Sequence, residues 1–312
     1  MRKPFSLLAS AAILAATAGC LVSMPKTNPL PKWDNSLLVS TEGLARRLND
    51  PRTVIIHVGR DRASYDAGHI PGARFLSLSS LVTEQGGVPN ELPPVEQLES
   101  TFEALGVSDN SRVVLYGDLA GLAAARAFFT LDYLGKTDAA LLDGGLERWR
   151  SENNPVSTEA PSVRPGALTV RARRDIVVNA DWVRERLGND STIVLIDARP
   201  PAEFTGDTPG EGITRPGHIP GAHNIFWRTA LVSDQDLRLR SPEVLHAPFT
   251  LADAALSDTI VAYCRTGVQA SHIYYQARYL RRPVVMYDGS FIDWSRRGEE
   301  YPVERGTGEG GQ

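Results

Sequence analysis

Cysteine is nearly absent from this chain: of its 312 residues only Cys20 and Cys264 carry a thiol. They sit in different kinds of segment, which removes a disulfide framework and any zinc site built from four cysteines. The six histidines show no metal-ligand spacing, and two of them recur inside a repeated turn, so neither a metal nor a cofactor is expected. An excess of one charge is lacking too. With a net charge of −4 and no basic cluster, nucleic acid is not an expected partner. What remains, 42% hydrophobic and 22% charged residues, is the composition of an ordinary globular protein. The length suggests about two domains.

The first residues read as a targeting segment. Arg2 and Lys3 precede an apolar run, Phe5 to Ala18, that is too short for a comfortable membrane span. Its end admits two readings. Ala16-Thr17-Ala18 fits an ordinary small-x-small cleavage site, whereas Thr17-Ala18-Gly19-Cys20 resembles a bacterial lipobox with Thr where Leu is usual. The lipoprotein form is preferred because it accounts for Cys20. The expected organisation is therefore a signal peptide over 1–20 and a tether over 21–35, exported to the periplasm or held in the cell envelope. Any membrane contact would come only through a lipid on Cys20.

The rest of the chain repeats itself, and the repeat fixes the architecture. STEGLARRLNDPRTVIIHVGR (Ser40 to Arg60) matches NADWVRERLGNDSTIVLIDAR (Asn179 to Arg199). Each gives a capping residue, an amphipathic helix, a polar turn and a β-branched strand. GHIPGA follows twice, at Gly68 to Ala73 and Gly217 to Ala222. Then RVVLYGDLAGLAAARAFFTLDYL (Arg112 to Leu134) matches TIVAYCRTGVQASHIYYQARYL (Thr259 to Leu280). Last, Asp143-Gly144 with Trp149 matches Asp288-Gly289 with Trp294. Strands alternating with helices predict a parallel α/β sheet in each copy. The copies span 36–156 and 176–305, with a linker over 157–175 and a Gly-rich, disordered tail over 306–312.

Cys264 stands at the end of an apolar strand and before a helix, with Arg265-Thr266-Gly267-Val268-Gln269 between. A thiol there faces unpaired backbone N–H groups and the positive end of a helix dipole, which would lower its pKa and supply a thiolate near neutral pH. Gly267 lets the loop curl with its amides inward. The plainer alternative is a buried core cysteine. The first copy serves as a control. Anchoring on the loop glycines sets Asp118 opposite Cys264, anchoring on the strands sets Gly117 there, and neither is a thiol. The strand-end alignment also sets Val58 opposite Asp197. The first copy is thus expected to be inactive.

Taken jointly, the GHIPGA turns, the Cys264–Gln269 loop and the Asp-Gly-x-x-x-x-Trp segment resemble the tandem-domain rhodanese family of sulfurtransferases. The resemblance implies two rhodanese-like α/β domains, each a small parallel sheet flanked by helices, with the site between them. It implies that sulfane sulfur passes from thiosulfate to Cys264 as a persulfide, held by the amides of Arg265 to Gln269, and on to cyanide or a thiol. It further implies an Arg265–Asp197 pair beside the loop. Mercaptopyruvate-type relatives use a Ser-His-Asp relay, which would fall on Thr266, His69 and Asp61; the other reading of His69, as of His218, is a structural hydrogen bond within the turn. Two donor-gripping arginines of the family fall at Glu203 and Glu211, leaving Arg215, Arg238 and Arg240 as replacements or as plain surface charge.

CRTGVQ is closer to thiosulfate-type loops than to mercaptopyruvate-type ones, so thiosulfate is the expected donor and 3-mercaptopyruvate the alternative. Phosphatases of related fold need Cys-x5-Arg, and this chain has Ala270 where that arginine would stand. A persulfide carrier or binding module without turnover is the remaining rival.

Overall fold

The computed structural model describes residues 32–307. The expected leader, Cys20, most of the tether and residues 308–312 lie outside the described residues. Strands β1 (Leu38–Val39), β2 (Thr53–Gly59), β3 (Arg74–Ser77), β4 (Thr83–Gln85), β5 (Val88–Glu91), β6 (Arg112–Gly117) and β7 (Ala139–Leu142) make up the first copy. Five of them form a parallel sheet in the order β1-β7-β6-β2-β3, while β4 and β5 pair as an antiparallel hairpin. The second copy contributes β8 (Val177–Val178), β9 (Ile193–Asp197), β10 (His223–Asn224), β11 (Thr259–Tyr263) and β12 (Val284–Tyr287). Its parallel sheet, β10-β9-β11-β12-β8, has the same order read from the other edge. The central strands bury both faces, as continuous runs such as TVIIHVG require.

Caps and turns repeat as faithfully as the strands. Ser40 Oγ accepts the N–H of Gly43 at 3.0 Å and Asn179 Oδ1 that of Trp182 at 2.9 Å, each worth about 1 kcal/mol. In the two GHIPGA turns, His69 Nδ1 donates to Tyr65 O and His218 Nδ1 to Phe204 O, both at 2.9 Å. Each imidazole also stacks on the ring that precedes it. Both histidines are buried, and the structural reading of this turn is the one the geometry supports. Trp149 and Trp294 donate to Pro155 O and Pro302 O, closing each domain. Residues 157–175 are no loose connector: Ser157 exchanges backbone bonds with His69, and the Arg171 and Arg173 N–H groups donate to Leu134 O and Tyr133 O.

Register settles which residues correspond between the copies. Tyr116 accepts the N–H of Ile70 through its hydroxyl, and Tyr263 accepts that of Ile219 in the same way. Tyr116 pairs across the sheet with His57, and Tyr263 with Asp197. So His57, not Val58, is the counterpart of Asp197, and Gly117 that of Cys264. Gly117 leaves no room for a side chain, since a Cβ there would lie 2.0 Å from Val58 O.

One apolar core runs through both copies. At its centre the Leu122–Tyr133 and Ala270–Tyr279 helices meet face to face, with Phe128 edge-on to Tyr275 and Phe129 edge-on to Tyr274 at 5.0 and 4.9 Å. Tyr274 donates to Asp132 across the seam at 2.7 Å. The two domains therefore present a cleft to one another, and the Cys264–Gln269 loop lies in it.

Candidate active site

Cys264 follows the last residue of β11, and its backbone is clamped on the outer side. Its N–H donates to Ser290 Oγ at 3.2 Å, its carbonyl accepts the N–H of Phe291 at 2.9 Å, and Arg265 O accepts that of Ile292 at 3.0 Å. Gly267 has φ +87, and a Cβ there would press to 2.7 Å from Asp288 Oδ1, so the curl requires glycine. In that curl the Gly267 N–H points at Cys264 Sγ, 3.2 Å away. The Asp288-Gly289-Ser290 turn thus supports the loop from beneath. Its match to Asp143-Gly144-Gly145 was visible as a repeat; its function as a buttress was not.

The thiol is buried, with 1% of its surface exposed. Burial pushes its pKa up from the ordinary thiol value, more than the nearby amides of Ala270, Thr266 and Gln269 bring it down, and the Asp197 carboxylate adds to the rise. This reverses the lowered pKa expected from the loop alone: the sequence shows the amides but not the loss of water. The resting sulfur is accordingly mostly a thiol, and the cradle acts on negative charge once it forms. The rate of Cys264 alkylation by iodoacetamide should rise with pH through a midpoint above that of glutathione measured alongside. A midpoint below glutathione would show that the amides outweigh burial.

A cleft of about 750 Å³ opens over the loop. The second domain lines it with Cys264, Arg265, Thr266, Val268, Gln269, Glu211, Gly212, Ile292 and Arg296. The first domain supplies Arg60, Leu78, Ser79, Val82, Pro89, Asn90, Leu119 and Leu122. Arg60 and Arg296 have no carboxylate partner among the described residues; Arg296 Nη1 donates to Gly87 O at 2.7 Å. These two arginines, from opposite walls, were missed at the sequence level. Arg60 ends a repeat that reads as framework, and Arg296 lies beyond the motif tryptophan.

Several expected partners are placed elsewhere. Asp197 does not pair with Arg265. Arg199 folds back onto it, with Nε 3.0 Å from both carboxylate oxygens and Nη2 2.5 Å from Oδ2, and the pair is fully buried. Arg265 instead donates to Glu203 Oε1 at 3.2 Å. Glu203 therefore anchors the loop arginine and does not stand bare in a donor site. Arg215 caps a helix end through Trp294 O and Ser295 O, Arg238 pairs with Asp236, and Arg240 donates to Leu231 O and Val232 O. None of the three lines the cleft. The relay is not assembled either. The His69 ring nitrogens lie against the carbonyls of Tyr65 and Glu159, Asp61 accepts the N–H of Ala63, and Thr266 Oγ1 accepts from Asn90 Nδ2 at 2.9 Å.

Asn90 belongs to the β4–β5 hairpin, which reaches from the first domain onto the loop of the second. Its turn, Gly86-Gly87, has φ +57 and +81. A Gly-Gly pair between short strands is a hairpin signal, and it was the available clue to this arm. Beneath it Arg126 forms a buried ion pair with Asp288, Nη1 to Oδ1 at 2.5 Å, and donates to Asn90 O at 2.9 Å. The Leu92 N–H donates to the same carboxylate at 2.7 Å. The first domain's own loop is covered reciprocally: Leu231, Leu237 and Leu239 close a cavity of only about 40 Å³ beside Gly117, Ala120 and Gly121.

A buried thiol beside backbone amides, between two α/β domains of one sheet order, is an arrangement suited to covalent chemistry on sulfur. The chain belongs to the rhodanese family: the rhodanese-like domain model matches it twice, over residues 40–152 and 179–297. It is a sulfurtransferase of that family. It is 35% identical over 274 residues to the sulfur carrier protein TtuD of Thermus thermophilus, covering 83% of this chain and 93% of that one. It is 32% identical to the thiosulfate sulfurtransferase of Azotobacter vinelandii (86% and 97% covered) and 30% identical to that of Corynebacterium glutamicum (89% and 95%). Among solved structures, YnjE superposes with a TM-score of 0.76 at 25% identity, covering 86% of this chain and 68% of that one. EanB has the same TM-score at 24% identity (87% and 69%) and shares the fold.

Proposed function

We propose that the protein transfers sulfane sulfur from thiosulfate to a thiol or cyanide through a persulfide on Cys264. Cys264 thiolate forms a bond to the outer sulfur, sulfite leaves with the electron pair of the old S–S bond, and an acceptor then takes the sulfur. The observation that carries this is the Gly267 N–H aimed at Sγ, on the floor of a cleft where two guanidiniums, Arg60 and Arg296, have no carboxylate partner among the described residues and suit a dianion. No cofactor enters, because each step is a sulfur-to-nucleophile exchange. The first copy is read as a shaping domain, since Gly117 and Asp118 offer no thiol and leucines fill its cavity. The leader-like residues 1–20 support export as the setting.

Arg60 and Arg296 are assigned to the donor. Arg60→Gln and Arg296→Gln should each lower kcat/KM for thiosulfate about ten- to hundredfold, mainly through KM, as loss of a charge-assisted contact does. Discharge of the persulfide to cyanide should change much less. Steady-state kinetics with varied thiosulfate check this, and unchanged kinetics would remove that arginine from the site. A second reading, a carrier that receives its sulfur from a partner, is favoured by the burial of Sγ and by the relative named a sulfur carrier. It would show itself as a stable persulfide with little turnover of small donors.

A further inference from the structure

Resting on the sulfurtransferase reading, we propose that Asn90 decides which sulfur donors the cleft can use. It orients the Thr266 hydroxyl in the Cys264 loop and takes the place from which a carboxylate or imidazole could exchange a proton with that hydroxyl. Only donors whose leaving group departs as a stable anion are then processed well.

An amide N–H can only donate, so the 2.9 Å bond from Asn90 Nδ2 fills a lone pair of Thr266 Oγ1 and leaves its O–H to point elsewhere. Asn90 is itself locked. Its φ is +64, a conformation asparagine tolerates better than most residues, and its carbonyl is held by buried Arg126. Asn90, Thr266 and Cys264 all face the cleft. On this proposal the Thr266 hydroxyl hydrogen is the one offered to charge that develops on the sulfur or on the departing group.

The same bond excludes a different chemistry. With thiosulfate, Cys264 loses its proton to water as the thiolate forms, the S–S pair then leaves on sulfite, and the leaving group needs no proton. With an α-mercapto ketone such as 3-mercaptopyruvate, the C–S pair stays on carbon. The enolate so formed must gain the proton that the donor thiol gives up, and a group must carry it. An amide cannot relay a proton as a carboxylate or imidazole can, and His69 is held elsewhere by Tyr65 O and Glu159 O. The guanidiniums of Arg60, Arg265 and Arg296 offer donors and no acceptor. Among the described residues Glu211 is the one carboxyl lining the cleft; it is exposed and makes no bond to Thr266.

The experiment compares thiosulfate and 3-mercaptopyruvate side by side on the full chain, with cyanide as acceptor and mass spectrometry of Cys264 as a second readout. Wild type should prefer thiosulfate by at least about a hundredfold in kcat/KM. Asn90→Ala should lower kcat for thiosulfate about tenfold with little change in KM. Thr266→Val should do the same and Thr266→Ser should retain most of the rate. The Asn90→Ala/Thr266→Val double variant should be no worse than either single one, because both remove one interaction. Equal use of the two donors by wild type, or a thiosulfate kcat unmoved in both single variants, would overturn the proposal. If neither donor places sulfur on Cys264, the sulfurtransferase reading and this inference fall together; if thiosulfate labels it but the Asn90 and Thr266 variants match wild type, only the inference falls.

Discussion

Cys264→Ser should reduce sulfur transfer to the uncatalysed background, a loss of roughly 10⁴-fold or more, as expected when the attacking nucleophile is removed. The expectation rests on chemistry and on position. A serine hydroxyl is not ionised near neutral pH, and Cys264 is the free thiol of the described residues. The loop should survive the change, because it is held by the Ser290, Phe291 and Ile292 bonds to backbone atoms, and a serine oxygen can still accept the Gly267 N–H. Melting within a few degrees of wild type would confirm that. Mass spectrometry after thiosulfate treatment should show one added sulfur on the Cys264 peptide of wild type and none on the variant. Asp118→Ala, in the corresponding loop of the first copy, should keep most of the activity. Transfer surviving in Cys264→Ser would sink the persulfide mechanism.

What was legible in the sequence was whatever the chain says twice. Each strand–turn–helix unit, each GHIPGA turn and each motif tryptophan is repeated, and the repetition marks which positions hold the framework and which, like Cys264, depart from it. Choices between neighbours were not legible. Asp197 has Arg199 two residues along its own chain and Arg265 on the adjacent loop. Only the fold shows that Arg199 turns back over Phe291, at 4.2 Å from the ring centre, to take the carboxylate. That exchange leaves Arg265 to Glu203 and moves the search for donor-binding charge away from Arg215, Arg238 and Arg240. The positive walls of the cleft come from Arg60 and Arg296, one in each domain, and linear spacing cannot place such residues together. The thiol's raised pKa was hidden for a related reason: backbone amides can be inferred from a motif, whereas exclusion of water depends on the hairpin and helices packed above it.

Arg126→Met should be among the most destabilising single changes outside the hydrophobic core. The guanidinium is fully buried and Asp288 is 2% exposed, so their bond has no solvent to fall back on. Removing one partner of such a pair leaves an uncompensated charge and costs about 3–5 kcal/mol, which for domains of this size lowers the melting midpoint on the order of 10 °C. The loss should also reach the active site. Asp288 supports Gly267 from below, accepts the Leu92 N–H, and with Arg126 holds the Asn90 carbonyl. Freed of its partner, the carboxylate must seek water, and both the hairpin and the sulfur cradle loosen with it. Turnover below the new melting point should therefore fall as well, with kcat more affected than KM. Arg126→Met combined with Asp288→Leu should recover part of the stability, because a buried pair replaced by apolar side chains removes the stranded charge. It should not recover turnover, since Leu92 and the loop then lack their acceptor and prop. A single variant that melts like wild type would show the ion pair to be energetically idle. One that melts early yet turns over normally would make it a clamp between domains with no part in shaping the sulfur site.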